Sequence, residues 1–381
     1  MRRPLMLTTA VLFAAAIVPC GMPVHAQEVS PAVSSTPGPA NPSVPVKWSK
    51  TTTTQTPAGK KTLHGPFNND LVTVTAENLP AHEWLQITVE LAVLRTWDGS
   101  VPITEEPDAT GPDYFSISLS GGPTLVYTTF SNLGEDVFEE NARFQNFPSL
   151  IPGDRLPARS GAQEKNTLGY EFTRSTTGVA YKMDTTYRIS LLVPHKDAKA
   201  AIDLAAMDLQ AADDESWGVL DVQVQPLAAA AVPGPAEDAI AKAFVEGVKA
   251  DAADPITALR TLVSGRDATV QWIAKNVTPK PISAADSAAI MKKLVEPAND
   301  MEVNESRGKL VEMGPQTEVL LREAYKKAED HTKPAIDGVL WVLGVTPVKD
   351  EGIRRVMLAT RVLEVIGTPE ALALRGKLAV Q

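Results

Sequence analysis

Cysteine is almost missing from this chain of 381 residues, in which Cys20 is the only one. Cys20 lies in an apolar N-terminal segment that we expect to be removed, so the remaining chain would contain none. That excludes disulfide bonds, a thiolate nucleophile and a cysteine-ligated metal site. Hydrophobic cores must therefore hold the fold together, and the length of the chain is sufficient for this.

Positive charge is also scarce. The chain has 36 Lys and Arg against 46 Asp and Glu, which gives a formal net charge of −10. Binding to phosphate backbones or anionic lipid needs a dense basic surface. The balance therefore argues against nucleic acid and anionic membranes as partners.

Motifs that would carry catalysis or nucleotide binding are absent. There is no Gly-x-Ser-x-Gly and no Gly-x-x-x-x-Gly-Lys-Ser/Thr, which leaves hydrolases of that type and phosphate-binding loops unsupported. The histidines beyond the N-terminal segment are far apart in sequence and are predicted to be scattered over the surface, at positions His64, His82, His195 and His331.

Neighbouring acids offer the only hint of acid–base chemistry. Such groups occur at Glu105–Glu106, Glu139–Glu140 and 213–215. Adjacency in sequence does not set the carboxyl separation that glycoside hydrolysis requires. We therefore predict no catalytic residue and no enzyme activity.

Residues 1–26 have the layout of a secretion signal. Two arginines precede an apolar run from Leu5 to Val18, and cleavage is predicted after Ala26, before Gln27. The run is shorter than the ~20 residues of a membrane span. An uncleaved anchor and lipidation of Cys20 are the alternatives. We expect an exported protein, periplasmic or extracellular and including the cell surface, with no membrane span in the mature chain.

Composition and periodicity divide the rest of the chain. A Pro/Ser/Thr-rich stretch is predicted to be disordered, a region of alternating apolar residues to be β-structure, and a region of 3.6-residue periodicity to be helical. A short Ala/Pro linker separates the last two. The boundaries are 27–60 for the disordered segment, 61–226 for the β region, 227–236 for the linker and 237–381 for the helical region.

The β region is predicted to form an antiparallel β-sandwich, because many β-branched and aromatic strands alternate with turn signals. Clear strands include Trp84–Leu94 and Tyr187–Val193, whereas 201–209 is compatible with a strand or a helix. The run from Asp213 to Val224 is predicted to be the closing strand. Helices are predicted at about 237–250, 255–263, 267–276, 283–295, 303–313, 316–329, 334–343, 350–366 and 369–379.

Two resemblances refine this layout. Leu94-Arg95-Thr96-Trp97-Asp98-Gly99 and Asp214-Glu215-Ser216-Trp217-Gly218 are similar to motifs of secreted bacterial jelly-roll modules of the galactose-binding or lectin-like kind. The segment 359–371, which contains Leu-Glu-Val-Ile-Gly-Thr-Pro-Glu-Ala, resembles degenerate HEAT-like helical repeats. Together they imply a multidomain chain with a jelly-roll-like sandwich and a C-terminal all-α HEAT-like array.

If the chain binds a metal ion, we expect calcium, because Ca²⁺ takes several oxygen ligands and the jelly-roll modules that the chain resembles often hold a structural Ca²⁺. No other cofactor is expected. The candidate ligands are acids near strand ends, namely Asp98, Asp108, Asp113, Asp213, Asp214 and Glu215. A carbohydrate would need an aromatic platform, for which the candidates are Trp97, Tyr114 and Trp217. Solvated loop acids and core-packing aromatics are the alternative interpretations.

The leading hypothesis is an exported, non-enzymatic binding or scaffold protein. Its sandwich would contact a glycan or a surface partner, and its helices would contact a protein. The alternatives are a carbohydrate-active enzyme or accessory module built on the sandwich, and a purely structural envelope protein.

Export can be tested directly. We expect the secreted or periplasmic form to begin at Gln27, because a small residue precedes it at the predicted cleavage position. N-terminal sequencing of that form gives the answer. A first residue at Cys20 bearing lipid, or retention of residues 1–26, would instead support one of the two alternatives.

Overall fold

Strands fill the first part of the folded chain and helices fill the second. The computed structural model describes residues 43–100, 111–134, 143–173, 177–278, 284–296, 300–313 and 347–380, with scattered positions between 317 and 340. These residues belong to one compact unit. Several predicted features lie outside the described residues, namely the signal segment 1–26, Asp108, His331, Glu105–Glu106 and Glu139–Glu140.

The strands range in length from 2 residues to 13. In chain order they are β1 (Val46–Trp48), β2 (Thr53–Gln55), β3 (Thr62–Phe67), β4 (Leu71–Glu77), β5 (Trp84–Arg95), β6 (Tyr114–Leu119), β7 (Thr124–Thr129), β8 (Phe144–Gln145), β9 (Leu156–Pro157), β10 (Glu164–Lys165), β11 (Glu171–Thr173), β12 (Ala180–Lys182), β13 (Asp184–Pro194), β14 (Lys199–Met207) and β15 (Glu215–Leu227).

Two larger antiparallel sheets contain most of these strands. One has the order β1-β4-β14-β6-β7, and the other has the order β10-β13-β5-β15-β3-β2. The pairs β8–β9 and β11–β12 form two small ribbons. The prediction of antiparallel β-structure before the helices is therefore confirmed.

Side chains from the two sheets meet in a shared core. In β4 every second residue is buried, as the alternation of its apolar residues predicts. Phe115 of β6 lies against Trp217 of β15, with ring centroids 5.2 Å apart. Residues of both sheets therefore belong to one hydrophobic core.

Local sequence did not settle three of the strands. Residues 201–209 were compatible with a helix, yet β14 is a strand because β4 and β6 supply hydrogen-bonding partners on both of its sides. Strands β1 and β2 lie in the segment whose composition predicts disorder. Val46 and Trp48 pack against the core there, and Val44 forms a bridge with Val224.

The helices follow a 3₁₀ turn at Ala229–Ala231. They are α1 (Glu237–Val248), α2 (Pro255–Ser264), α3 (Arg266–Asn276), α4 (Ala284–Val295), α5 (Asp300–Met313), α6 (Glu351–Ile366) and α7 (Pro369–Val380), and further helical positions occur between 317 and 340. These bounds confirm seven of the predicted helices, whereas those predicted at 316–329 and 334–343 lie where only scattered positions are described. In the part of the chain that is described, no helix has the length and apolar character needed to cross a bilayer.

Helix boundaries follow the local chemistry. The Asp254 side chain accepts a hydrogen bond from Thr257 N and caps α2, and Asp350 caps α6 in the same way through Ile353 N. Gly367 ends α6 with φ of 67°, a left-handed conformation that glycine adopts without strain.

Most helices share one hydrophobic core with the sheets. Buried residues of α1, α2, α3, α6 and α7 belong to the same cluster as the strand residues, and α2 contacts β13 while α6 contacts β7 and β13. A second, smaller cluster lies in the intervening segment and consists of Leu294, Leu310, Leu321, Ile336 and Val339. The first three and last two helices thus share the core of the sheets, and α2 and α6 contact the strands directly.

Helix α6 returns to the start of the helical region. It contacts α1, α2 and α3, and α7 contacts α3. In a linear array each repeat contacts only its neighbours, so this return is a feature that the repeat pattern did not predict.

A buried ion pair joins α6 to the loop between β8 and β9. Arg354 forms a two-pronged interaction with Asp154, and the two side chains are 9% and 3% exposed. Arg354 Nη2 donates to Asp154 Oδ2 over 2.8 Å, and Nη1 donates to Oδ1. The remaining donors reach Val248 O at the end of α1 and Val348 O before α6. One side chain therefore connects four segments.

Removing one member of this pair should destabilise the fold strongly. We expect Arg354→Met to lower the free energy of unfolding by about 3–5 kcal/mol, because Asp154 would stay buried without its partner. The double variant Arg354→Met/Asp154→Leu should lose less. Chemical denaturation followed by circular dichroism measures both changes.

Lys242→Met provides the matched control. Lys242 pairs with Asp238 on the exposed surface of α1, where an ion pair contributes little. Equal losses in Lys242→Met and Arg354→Met would contradict the structural role of the buried pair.

Candidate functional site

Three of the predicted acids converge where strands end. Asp98 follows β5, Asp113 precedes β6, and Glu215 opens β15. The register brings them together, since Glu215 pairs with Arg95 across β15 and β5. We call Asp98, Asp113 and Glu215 the carboxyl cluster.

Asp113 is the innermost member of the carboxyl cluster and is completely buried. Its Oδ2 accepts hydrogen bonds from the backbone N–H groups of Asp98 and Gly99. Its Oδ1 is buried and has no donor among the described residues. The Glu215 carboxyl lies within hydrogen-bonding reach of Asp113. A proton held between the two carboxyls satisfies Oδ1, since two ionised carboxylates have no proton to donate.

Burial controls the protonation of the carboxyl cluster. Burial raises the pKa of Asp113 well above its usual range, and the charges of Glu215 and Asp98 raise it further. Burial also raises the pKa of Glu215 to about 8, against the lowering effect of the Gln210 N–H, while Asp98 and Asp214 add to the increase. The Asp113–Glu215 pair is therefore expected to hold a proton at neutral pH.

Gln210 fixes Glu215 from the preceding turn. Gln210 N donates to Glu215 Oε2 over 2.7 Å, and Gln210 Nε2 donates to Oε1 over 2.8 Å. The same Nε2 lies 3.3 Å from Asp98 Oδ2. Gln210 thus donates a hydrogen bond to each carboxyl oxygen of Glu215, and the two bonds hold the carboxyl group toward Asp113.

The other two predicted acids lie at the edge. Asp214 is half-buried and accepts a hydrogen bond from Thr96 Oγ1, whereas Asp213 is exposed. Asp214 contributes its charge to the carboxyl cluster, and Asp213 takes no place in it.

The donors of the carboxyl cluster are all hard oxygens, the type that Ca²⁺ prefers. Apart from the proton shared with Glu215, Asp113 Oδ1 has no donor among the described residues. Over the described ranges, however, no group of three or more His, Cys, Asp or Glu side chains has a geometry ready to hold a metal ion. The oxygen atoms are of the type that calcium takes, but the described residues do not bring them together as a metal site.

The aromatic candidates are packing residues here. Trp97 and Trp217 are 0% exposed and Tyr114 is 3% exposed. The indole Nε1 of Trp97 donates to Ser216 O, and that of Trp217 donates to Asn68 O. With no ring face open to solvent, these side chains do not form the platform that a sugar would need.

A histidine pair is the feature that sequence reasoning missed. His82 and His195 were predicted to be scattered surface residues, but His82 Nε2 lies 2.8 Å from His195 Nδ1. His82 comes just before β5 and His195 just after β13, whose paired ends bring them together. No signal in the sequence paired these two strand ends, since the two histidines lie 113 positions apart. The remaining described histidine, His64, stacks on Trp48 with centroids 4.1 Å apart.

A crevice of about 250 Å³ lies between α2, α6 and β13. Leucine and isoleucine side chains and Arg260 line it.

Comparison with known proteins adds no assignment, since no protein-family model, curated protein or solved structure matches the chain.

The shared proton predicts an unusual pH dependence. Because the pKa of Glu215 is about 8 in the fold against 4.5 ordinarily, the native state keeps a proton that the unfolded chain releases. The free energy of unfolding should therefore fall as the pH rises from about 5 to about 8. Glu215→Gln should flatten this decline, because its amide can donate to Asp113 without titrating. Denaturation in the presence of a chelator at several pH values measures the slope.

Asp213→Asn is the control for Glu215→Gln, since Asp213 belongs to the same acidic run but is exposed. It should keep the wild-type slope. A Glu215→Gln protein with an unchanged slope would contradict the shared proton.

Proposed function

We propose that the protein is an exported, non-enzymatic binding or scaffold protein. Its β region contacts a glycan or another surface partner, and its helices contact a protein. The observation that carries this proposal is the continuous core between sheets and helices, with the buried Arg354–Asp154 pair across it. Such an attachment fixes the orientation of two binding surfaces, which is what a scaffold requires.

The strand pairing supports a jelly-roll-like sandwich as the form of the β region. Counting β3, β4, β5, β6, β7, β13, β14 and β15 as eight strands, the first pairs with the eighth, the second with the seventh, the third with the sixth and the fourth with the fifth. A ribbon of four such pairs, rolled so that its two sheets share a core, has this order.

HEAT-like character is best supported at the end of the chain. Helices α6 and α7 contact each other and are joined at Gly367, which ends the first, and Pro369, which begins the second. We propose that this hairpin is one HEAT-like pair, and that α1–α3 pack against it in place of a following repeat.

The outer face of the five-stranded sheet is our candidate partner surface. Thr73, Asp203 and Ser118 lie side by side on β4, β14 and β6, and all three are half-buried. Thr73 Oγ1 donates to Asp203 Oδ1 over 2.7 Å. A row of hydroxyl and carboxylate groups on a sheet can hydrogen-bond sugar hydroxyls. We call these three residues the polar row.

We also propose that Ca²⁺ replaces the shared proton in the carboxyl cluster. Asp98, Asp113 and Glu215 would supply the ligands, with Asp214 contributing charge. Calcium would keep the carboxyls ionised and neutralise their repulsion, which stabilises the loops that carry them. In this role the ion is structural and takes no part in a reaction.

The alternatives have less support. A carbohydrate-active enzyme would need carboxyls roughly 5–5.5 Å or 6.5–9.5 Å apart across a substrate. Asp113 and Glu215 lie closer, within hydrogen-bonding reach, and are buried. An accessory module without catalysis or an envelope structural protein remains compatible with the same rigid attachment.

A glycan array probed with the chain from Gln27 onward tests the proposal. We expect binding to a defined group of glycans and its loss in Asp203→Ala, because that change removes the acceptor at the centre of the polar row. Asp213→Asn, an exposed acid outside the row, should bind normally. Retained binding in Asp203→Ala would place the surface elsewhere, and no binding by the wild type would overturn the glycan partner.

Calcium is tested separately. Addition of Ca²⁺ after treatment with a chelator should raise the melting temperature of the wild type but not of Asp113→Asn. Mg²⁺, which prefers a smaller octahedral site, should have a weaker effect. An equal response of wild type and variant would rule out the carboxyl cluster as the calcium site.

A further inference from the structure

The two imidazoles of His82 and His195 meet at the junction between the sheets and the helices. The register of β5 and β13 pairs Trp84 with Pro194, and His195 N donates to Glu83 O over 3.1 Å. The strand ends therefore hold the backbones of the two histidine segments side by side. The contact between the rings depends on this register and not on a flexible loop.

The geometry of the pair is that of a direct hydrogen bond. His82 Nε2 and His195 Nδ1 are 2.8 Å apart, and the rings are nearly parallel with centroids 5.1 Å apart. His82 is 8% exposed. Water is therefore largely excluded from one ring, and a charge placed there is poorly screened.

The hydrogen bonds define how many protons the pair can accept. His82 Nδ1 lies 2.6 Å from Pro80 O, and a carbonyl can only accept, so Nδ1 carries a hydrogen. His82 Nε2 is then the acceptor for His195 Nδ1–H in the neutral pair. A first added proton can bind the other nitrogen of His195, and the Lys199 backbone favours the charged form of this ring. A second would place hydrogens on both facing nitrogens, which cannot then bond.

The charged groups around the pair come from three elements. Glu83 is in the same segment as His82, Lys196 and Asp197 are in the turn after β13, and Arg266 extends from α3 to pair with Glu83. Burial and the charge of His82 lower the pKa of His195, while Asp197 and the Lys199 backbone oppose this effect. Because Glu83 is already paired with Arg266, its carboxylate is less able to stabilise the positive charge of a second imidazolium.

The same segment holds α3 against the sheet. Arg266 Nη1 donates to Glu83 Oε2 over 2.9 Å, and Nη2 donates to Glu83 O over 3.0 Å. The guanidinium group lies 4.0 Å from the centre of the Trp84 ring. Any displacement of residues 82–84 therefore acts directly on the attachment of α3.

We propose that the His82–His195 pair is an acid-sensitive latch between the sheets and the helices. It accepts one proton without a change of structure, and the second proton separates the rings and loosens α3 from the strand end that carries Glu83 and Trp84. Acid pH thereby weakens the fixed orientation of the helical region, whatever partner either region binds.

Hydrogen exchange of the chain from Gln27 onward tests the latch at pH 7.5, 6.0 and 4.5, with correction for intrinsic exchange rates. In the wild type, exchange of the α3 amides should be unchanged at pH 6.0 and should rise about tenfold or more at pH 4.5. His195→Asn retains a donor near the Nδ1 position but does not titrate. Its α3 amides should change less than about threefold over the same range.

Two further variants complete the test. His64→Gln removes a histidine that stacks on Trp48, away from the junction, and should behave like the wild type. His82→Gln removes the other ring, and exchange of its α3 amides should match that of His195→Asn. Having both variants keeps the test possible if one of them does not fold. Nitrogen-15 shifts of labelled imidazoles count the bound protons.

Two results would overturn the latch. One is a wild-type protein whose α3 exchange does not rise at pH 4.5. The other is an equal rise in the wild type and in the folded His195→Asn or His82→Gln protein, which would assign the acid response to other groups.

Discussion

The structure depends on one buried ion pair, because Arg354 and Asp154 join segments that nothing in the local sequence brings together. Two charges removed from water are stable only when each is fully hydrogen-bonded. Arg354 meets this condition with Asp154, Val248 O and Val348 O, and Ser149 Oγ donates to Asp154 over 2.6 Å. The loop, the end of α1 and the start of α6 must therefore keep their relative positions. The shared hydrophobic core stabilises the attachment, and the ion pair specifies its geometry.

Strand β5 organises the titratable groups of the β region. Its first residues adjoin the histidine pair and its last residues adjoin the carboxyl cluster. The two ends of β5 respond to pH in opposite directions. Added protons break the contact between the imidazoles, whereas loss of protons makes the carboxylates repel one another. The free energy of unfolding should therefore be largest at mildly acidic pH. This range lies above the pH at which the histidine pair takes up protons and below the pH at which the carboxyl cluster loses them. A cation bound at the carboxyl end would widen that range toward alkaline pH.

Periodicity in the sequence was sufficient for the elements but not for their assembly. Alternation located β4 and β5, and the 3.6-residue periodicity located α2 and α6. The acids of the carboxyl cluster could be named because they adjoin strand ends. The partnership of His82 with His195 and that of Asp154 with Arg354 could not, because each depends on a register or a packing contact between residues more than 100 positions apart. Burial of Trp97 and Trp217 likewise depends on how the sheets meet, which composition does not report.

The pairing of β3 with β15 has a consequence for synthesis of the chain. Val219 lies opposite His64, about 155 residues away, and the strand between β3 and β5 is β15 itself. A growing chain therefore has an incomplete central sheet until residues near 227 are available. Until then β3 and β5 expose edges that only the last strand can cover. The β region is thus a late-closing fold, because its central sheet is complete only when its last strand has been made.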